Sequence, residues 1–320
     1  MHSLYIQRSQ SATFSPLVTP MYPVKRSPTS QTLRIRNLSY HVQTWGEPAP
    51  GKTPLVLVHG WMDVAASYQF VVDALSHDHY VIAPDWRGYG QSSHGGVDSF
   101  WFADYLADLD FLLDHYSPNA PVNLVGHSMG GNVVMMYAGI RPGRIRRLIN
   151  LEGFGLPATT PDHAPVRYAK WMDELKLLHR GEMDLKPYPS VAGVARRLMK
   201  TNPRLGSDKA HWLAQHWARE DAQGQWSIQG QAAHKLSSAH LYRLDETLEI
   251  FKCICAPVLS LEASDDSLAQ WWKDSYTLAQ FHERLTVVPC IEIARIEDAG
   301  HMLHHDQPEA VAAKIEQFIA

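Results

Sequence analysis

The chain has 320 residues, 45% of them apolar, and a formal net charge of −4 at pH 7. That length accommodates one large α/β domain or a core domain with an insertion, and a near-neutral charge without a basic stripe excludes the electrostatic footprint of a nucleic-acid binder. Cys253, Cys255 and Cys290 lack the number and spacing of a disulfide framework or zinc knuckle, no apolar run approaches the ~20 residues that span a bilayer, and no secretory h-region opens the chain, so a cytoplasmic setting is expected.

Residues 1–31 begin the chain with a segment rich in Ser, Thr and Pro and free of acidic side chains. It reads as a loose leader; a targeting segment and an over-long start, with translation beginning at Met21, remain open. From Thr32, "TLRIRNLSYHVQTWG" alternates apolar and polar residues and predicts two antiparallel edge strands. The runs "PLVLVH" (54–59), "YVIAPD" (80–85), "PVNLVG" (121–126), "LINLE" (148–152) and "PVLSLE" (257–262) are short and apolar, as strands buried on both faces should be; "IEIARIED" (291–298) alternates. Helical segments lie between them, among them "FWFADYLADLDFLLDHY", where Phe102, Leu106, Leu109 and Leu113 share one stripe. The pattern predicts a parallel sheet covered on both faces, closed by the helix "QPEAVAAKIEQFI".

Residues 153–252 break the alternation. They carry helical periodicity without a buried-strand signal, and an interval this long predicts an inserted helical cap between core segments 32–152 and 253–320. Tyr168, Trp171, Met172, Leu175, Trp212 and Trp217 either line an apolar pocket there or form the cap's own core.

The stretch "NLVGHSMGGNVV" carries the chemistry. Gly-x-Ser-x-Gly is weak alone, but here it follows a strand and opens a helix, the setting of a nucleophile elbow with Ser128 at its tip. A serine hydroxyl needs a base to take its proton. His301, in "EDAGHMLHHDQPE" after the last strand, emerges at the same edge of the sheet as Ser128. His304 and His305 lie beside it, but no carboxylate or cysteine completes a metal-ligand set, so no metal is expected. Two backbone amides are placed to hold an oxyanion: Met129, after the nucleophile at a helix N-terminus, and Trp61 in "HGWMD". Two carboxylates are candidates for the acid that orients His301. Glu152 ends a buried strand, where a carboxylate is costly without a partner, and is favoured; Asp266, with Asp265 beside it, follows the next strand in "EASDDS" and is the alternative.

"LVHGW", "PDWRGYGQSS", "GHSMGG", "PVLSLEASDD" and "DAGHMLHHDQPE" occur in the order and spacing of the α/β-hydrolase superfamily, which the chain resembles over roughly residues 32–320. "HGWMDVAASY" and "RRLMKTNPRL" are similar to its serine-hydrolase-like, capped esterase branch. The resemblance implies an eight-stranded, mostly parallel sheet, a helical cap after the sixth strand, a Ser-His-acid triad and no cofactor. "LINLEGFGLP" also resembles the haloalkane dehalogenase segment whose acid ends the sixth strand. Those enzymes carry Asp where this chain has Ser128, and an alkyl-serine ether would not be released by the water step that cleaves an ester, which disfavours carbon–halogen chemistry.

The expected activity is that of a carboxylesterase acting on a small or medium apolar acyl substrate. Carbon–carbon (meta-cleavage product) hydrolysis or lactone hydrolysis by the same residues is the alternative, and a catalytically silent ligand-binding protein is the rival from another class. Neither the natural substrate nor the oligomeric state is legible.

Overall fold

The computed structural model describes residues 21–320, so most of the expected leader lies outside the described residues. Strands β1 (Thr29–Ile35) and β2 (Leu38–Trp45) form the antiparallel pair that their alternation predicts. There follow β3 (Leu55–Val58), α1 (Gln69–Ala74), β4 (Val81–Pro84), α2 (Phe102–Tyr116), β5 (Val122–His127), α3 (Met129–Ile140) and β6 (Ile145–Leu151). The next interval holds α4 (Ala164–His179), α5 (Val191–Thr201), α6 (Ser207–Trp217), a hairpin of β7 (Ala218–Glu220) and β8 (Trp226–Ile228), and α7 (Leu244–Lys252). The chain ends with β9 (Val258–Ala263), α8 (Ser267–Trp272), α9 (Leu278–Leu285), β10 (Ile291–Ile296), α10 (Leu303–Asp306) and α11 (Pro308–Ile319).

Eight strands form one sheet in the order β1-β2-β4-β3-β5-β6-β9-β10, antiparallel only where β2 meets β1 and β4. The apolar runs β3, β4, β5 and β9 are buried along their whole length, because helices cover both faces. One apolar layer holds Trp86, Leu109, Leu124 and Tyr137; the other holds Leu57, Tyr68, Leu261 and Ile315. From β3 the chain steps to β4 on one side and then to β5 on the other. The loops leaving β3 and β5 therefore part at a topological switch point, where open α/β sheets bind ligands.

Three local outcomes differ from the sequence pattern. Helix α2 turns Tyr105, Asp108, Leu109, Leu112 and Leu113 inward and leaves Phe102 exposed. Its rotation follows from Asp108, which is fully buried, bound to Arg87 at 2.6 and 2.7 Å and accepting from Tyr40 Oη at 2.6 Å; a buried carboxylate without such partners would cost several kcal/mol. The β7–β8 hairpin was not legible because three-residue strands with half-exposed side chains carry no alternation. At the N-terminal end of the described chain, Tyr22 packs edge-on against Phe70 and the Lys25 and Arg26 amides donate to Asp73, so this stretch is anchored to α1.

In the interval between β6 and β9, Trp212 and Trp217 pack with Phe70, Val194 and Leu198 in a third apolar cluster. Helix α4 buries no side chain; Tyr168 and Met172 are exposed on it, and Trp171 and Leu175 are half-buried. Helix α7 lies against α3, close enough that a Cβ on Gly139 would overlap the Ile250 carbonyl oxygen.

Candidate active site

The turn from β5 into α3 holds Ser128 at φ 54°, ψ −116°. A side chain at Gly126 would overlap the Gly130 carbonyl, and one at Gly130 would overlap the Val58 carbonyl, so only glycine permits this close approach of turn, helix and β3. Met62, Glu152 and Asp298 also have positive φ. Of the six non-glycine residues with positive φ among those described, two, Ser128 and Glu152, are thus sequence-predicted site residues and two, Met62 and Asp298, lie close to such residues in the chain, where strain of roughly 1–3 kcal/mol apiece is retained by the surrounding fold.

Ser128, His301 and Glu152 come together from three loops at the carboxyl edge of the sheet. His301 Nε2 lies 2.9 Å from Ser128 Oγ, and His301 Nδ1 lies 3.4 Å from Glu152 Oε2. Glu152 is 2% exposed and accepts from the Ala263 amide and from Ser267 Oγ, each at 2.7 Å. These two donors fix the carboxylate, so it meets His301 with an oriented lone pair. Asp266 is turned elsewhere: it caps α8, accepting from the Ala269 amide at 2.9 Å, and no hydrogen bond joins it to His301. Asp265 forms a two-point ion pair with Arg204 at 2.7 and 3.2 Å.

The loop after β3 approaches from the other side. A Cβ on Gly60 would stand 3.0 Å from Ser128 Cβ, so this loop runs directly beside the serine. His59 sets its orientation. Nε2 accepts from the Trp86 amide at 2.9 Å, which leaves the proton on Nδ1 to donate to the Gly60 carbonyl at 2.8 Å. With that carbonyl drawn toward His59, the trans peptide turns the Trp61 N–H the opposite way. Burial, partly opposed by Asp63 and Asp85, holds the His59 pKa below the ordinary histidine value and keeps the ring neutral for this role. Met129 is the first residue of α3, so its N–H has no intrahelical acceptor and sits at the positive end of the helix.

Two residues around the site carried no clear signal in the sequence, Trp271 and His127, and of Trp61 only the backbone amide was singled out. Trp271 sets its ring edge-on to His301 at 4.3 Å between centroids and is 48% exposed, while Trp61 is 53% exposed with its indole donating to the His234 carbonyl at 2.9 Å. His127 lay unremarked within the elbow motif itself; its Nε2 donates to the His301 carbonyl at 2.8 Å. Burial, with repulsion from His304 and His301, holds the His127 pKa well below the ordinary value, so it stays neutral.

His304 and His305 are buried behind the site rather than exposed in it. Asp63 supplies the carboxylate that the sequence did not place beside them: Asp63, His127 and His304 bring one ligand atom each within 4.8 Å of one another. Burial would raise the Asp63 pKa, but the facing His304 imidazole opposes it and the net shift is downward. With His304 Nε2 standing 3.9 Å from Asp63 Oδ2, the pair is an electrostatic contact rather than a formed hydrogen bond.

Among known proteins, the α/β hydrolase fold family matches residues 53–308. Similar proteins include a serine hydrolase-like protein of Danio rerio, 25% identical over 284 residues that make up 87% of this chain and 84% of that one. A cis-3-alkyl-4-alkyloxetan-2-one decarboxylase of Shewanella oneidensis is 27% identical, with 83% of this chain and 81% of that protein aligned. Among solved structures, a thioesterase domain from the curacin biosynthetic pathway superposes with a TM-score of 0.77 at 25% identity, covering 91% of this chain and 99% of that domain. An elbow at the switch point, facing a histidine from the loop after the last sheet strand, is the arrangement this family uses, and the chain belongs to the α/β-hydrolase family as a hydrolase.

Proposed function

We propose that the chain is a serine hydrolase that works through an acyl-enzyme, and most directly a carboxylesterase for a small or medium apolar acyl group. One observation carries this reading: the continuous path from Glu152 through both nitrogens of His301 to Ser128 Oγ. The Ser128 proton passes to His301 Nε2 as Oγ attacks the acyl carbon. The imidazolium is stabilised by Glu152 and then protonates the departing alcohol. The Trp61 and Met129 amides hold the oxyanion, each worth about 10²- to 10³-fold in rate. Water then attacks the acyl carbon as His301 Nε2 takes its proton, and the imidazolium returns that proton to Ser128 Oγ as the carboxylic acid leaves. No cofactor enters.

The apolar preference rests on Trp61 and Trp271, two half-exposed indoles on the oxyanion loop and beside His301. Segment 153–252, α7 excepted because it packs on α3, acts as the cap whose shape selects the substrate. A lactone is the second substrate class under this reading, favoured by the cyclic ester that the name of the Shewanella relative describes. The small-molecule substrate is met in the cytoplasm, a setting supported by three exposed free thiols; among the described residues no helix is long and apolar enough to cross a membrane.

The test is fluorophosphonate labelling of the purified chain, followed by a panel of acyl esters and lactones. Wild type should label at Ser128, and Ser128→Ala should lose about 10⁶-fold in turnover. An alanine variant retaining a tenth of wild-type activity would show that the nucleophile is elsewhere, and a wild type that neither labels nor turns over any panel member would favour a silent binding protein.

A further inference from the structure

Far from Ser128, at the amino edge of the sheet, the loop between α1 and β4 meets the last turns of α11. Glu316 of α11 receives five donors from this loop. The Ser76 amide and hydroxyl reach Oε2 at 3.0 and 2.5 Å, and the His77 amide, His77 Nδ1 and His79 Nε2 reach Oε1 at 2.8, 3.1 and 3.1 Å. A carboxylate offers about four lone-pair positions, two on each oxygen. Three donors thus converge on Oε1, and the two imidazole nitrogens share what the amide leaves, His77 Nδ1 standing also 3.0 Å from Ser76 Oγ.

We propose that His77 Nδ1, His79 Nε2 and Glu316 Oε1 form a binding site for a borderline divalent metal ion of the zinc class. Their three ligand atoms lie within 4.8 Å of one another. Each nitrogen stands 3.1 Å from the carboxylate oxygen, and metal–ligand bonds of ~2.0–2.1 Å place neighbouring ligands about 3.0–3.4 Å apart. Both nitrogen–oxygen pairs are thus already at their spacing around an ion, with the two nitrogens within 4.8 Å of each other. On binding, each neutral ring turns a lone pair of His77 Nδ1 or His79 Nε2 to the cation and carries its proton on the other ring nitrogen, which leaves the Ser76 amide and hydroxyl and the His77 amide in place to orient the carboxylate, as outer hydrogen bonds orient metal-bound carboxylates elsewhere.

The ligand set selects the ion. Two imidazoles and one carboxylate suit zinc, and also nickel or copper, whereas calcium and magnesium take oxygen ligands. Access is open on the His77 side, where the side chain is 76% exposed, while His79 and Glu316 are 20% and 11% exposed. The histidines are separated by one residue and Glu316 lies more than 200 residues further on, which is why no ligand spacing shows in the sequence. The ion would tie α11 to the α1–β4 loop without touching the machinery around Ser128, so this site stands independently of the serine hydrolase reading.

The experiment is zinc titration of the tag-free, chelator-stripped full chain, read by calorimetry and by thermal melting. One zinc ion per chain is expected, with a melting temperature that rises with the logarithm of zinc concentration, and calcium should give neither signal. His77→Ala removes a solvent-facing side chain and should weaken zinc binding by at least about tenfold, as should His79→Ala and Glu316→Gln. Absence of zinc binding at millimolar metal would overturn the proposal. So would zinc binding of unchanged strength in both His77→Ala and His79→Ala, which would move the ion to another group such as Asp63, His127 and His304.

Discussion

Exchanging Glu152 for glutamine separates the two carboxylates that the sequence left as alternatives. In the native site Glu152 faces three donors: the Ala263 amide at 2.7 Å, Ser267 Oγ at 2.7 Å and His301 Nδ1 at 3.4 Å. Glutamine keeps one acceptor and gains a donor. Directing its carbonyl at the Ala263 amide preserves the bond that no other group can replace, and Ser267 can rotate its hydroxyl to accept from the new amide. That amide then also confronts His301 Nδ1, which must present a lone pair and shift its proton to Nε2, the atom that has to take the proton from Ser128. A wrongly held tautomer costs about 10⁴-fold in a Ser-His-Asp enzyme, which at about 1.36 kcal/mol per tenfold is roughly 5.5 kcal/mol of transition-state free energy. Stability should change much less, because the reverse amide orientation, which would strand a buried N–H at about 1–3 kcal/mol, is avoidable. Asp266→Asn is the control. Asparagine caps a helix as well as aspartate does, so both kcat and melting temperature should stay near wild type. The assay is kcat on an activated acyl ester together with the rate of fluorophosphonate labelling and a thermal melt. A Glu152→Gln enzyme within tenfold of wild type, or an Asp266→Asn enzyme crippled while Glu152→Gln is mild, would refute this placement of the acid.

Two further outcomes follow from buried groups and from the contacts beneath His301. His59, His127, His216, His234 and His305 all have folded pKa values lowered chiefly by burial, His234 to about 3; since the unfolded chain binds their protons near pH ~6.5, stability should be complete above that value and fall below it, each site adding up to about 1.4 kcal/mol per pH unit until its folded pKa is reached. Melting temperatures that stay flat between about pH 7 and pH 5 would contradict the neutral burial of these rings. Arg204→Ala removes a half-exposed ion pair worth only about 0–1 kcal/mol, yet it should slow labelling of Ser128 by about tenfold through loss of geometry in the histidine loop; unchanged labelling kinetics would show the ion pair to be inert.

What the sequence revealed depended on whether one residue type had one physical explanation. Buried strands did, because an unbroken apolar run such as Leu55–Val58 fits only a strand covered on both faces. So did Ser128, since glycines at 126 and 130 are demanded by the overlap a Cβ would make with the Gly130 and Val58 carbonyls. The carboxylates did not. Glu152 and Asp266 both follow parallel strands, and what separates them is the direction in which a few backbone angles send each side chain, with Glu152 at φ 55° beside the Ala263 amide and Asp266 turned back onto its own helix. Residues 153–252 were opaque for a different reason. Helix α4 buries nothing, so its apolar residues mark no stripe, and Trp212 and Trp217 serve an internal cluster that also takes in Phe70 from α1. The rotation of α2 was hidden too, because it is set by a buried aspartate whose partners come from two distant segments.

Placing the acid at the end of β6 has a consequence for the turn after β9. That turn is free of duty toward His301, and its acidic residues do other things: Asp266 caps α8, and Asp265 receives Arg204 from the α5–α6 connection. Arg204 also reaches Asp298, which precedes His301 by three residues, at 3.2 Å. Two residues earlier, Asn202 donates to Asp306 at 2.7 Å, and the other oxygen of Asp306 accepts from the Gly300 amide at 2.9 Å. The segments "TNPRL", "SDD" and "DAGHMLHHD" therefore meet at one place, and the backbone on both sides of His301 is held from the α5–α6 connection. From the opposite side, His127 grips the His301 carbonyl. A histidine loop clamped in this way has its ring direction fixed before substrate arrives, which compensates for the long 3.4 Å separation from Glu152. In the proposed mechanism this separation has room to shorten as positive charge develops on the ring, so that Glu152 would interact more strongly with the transition state than with the resting enzyme, the difference that accelerates a reaction.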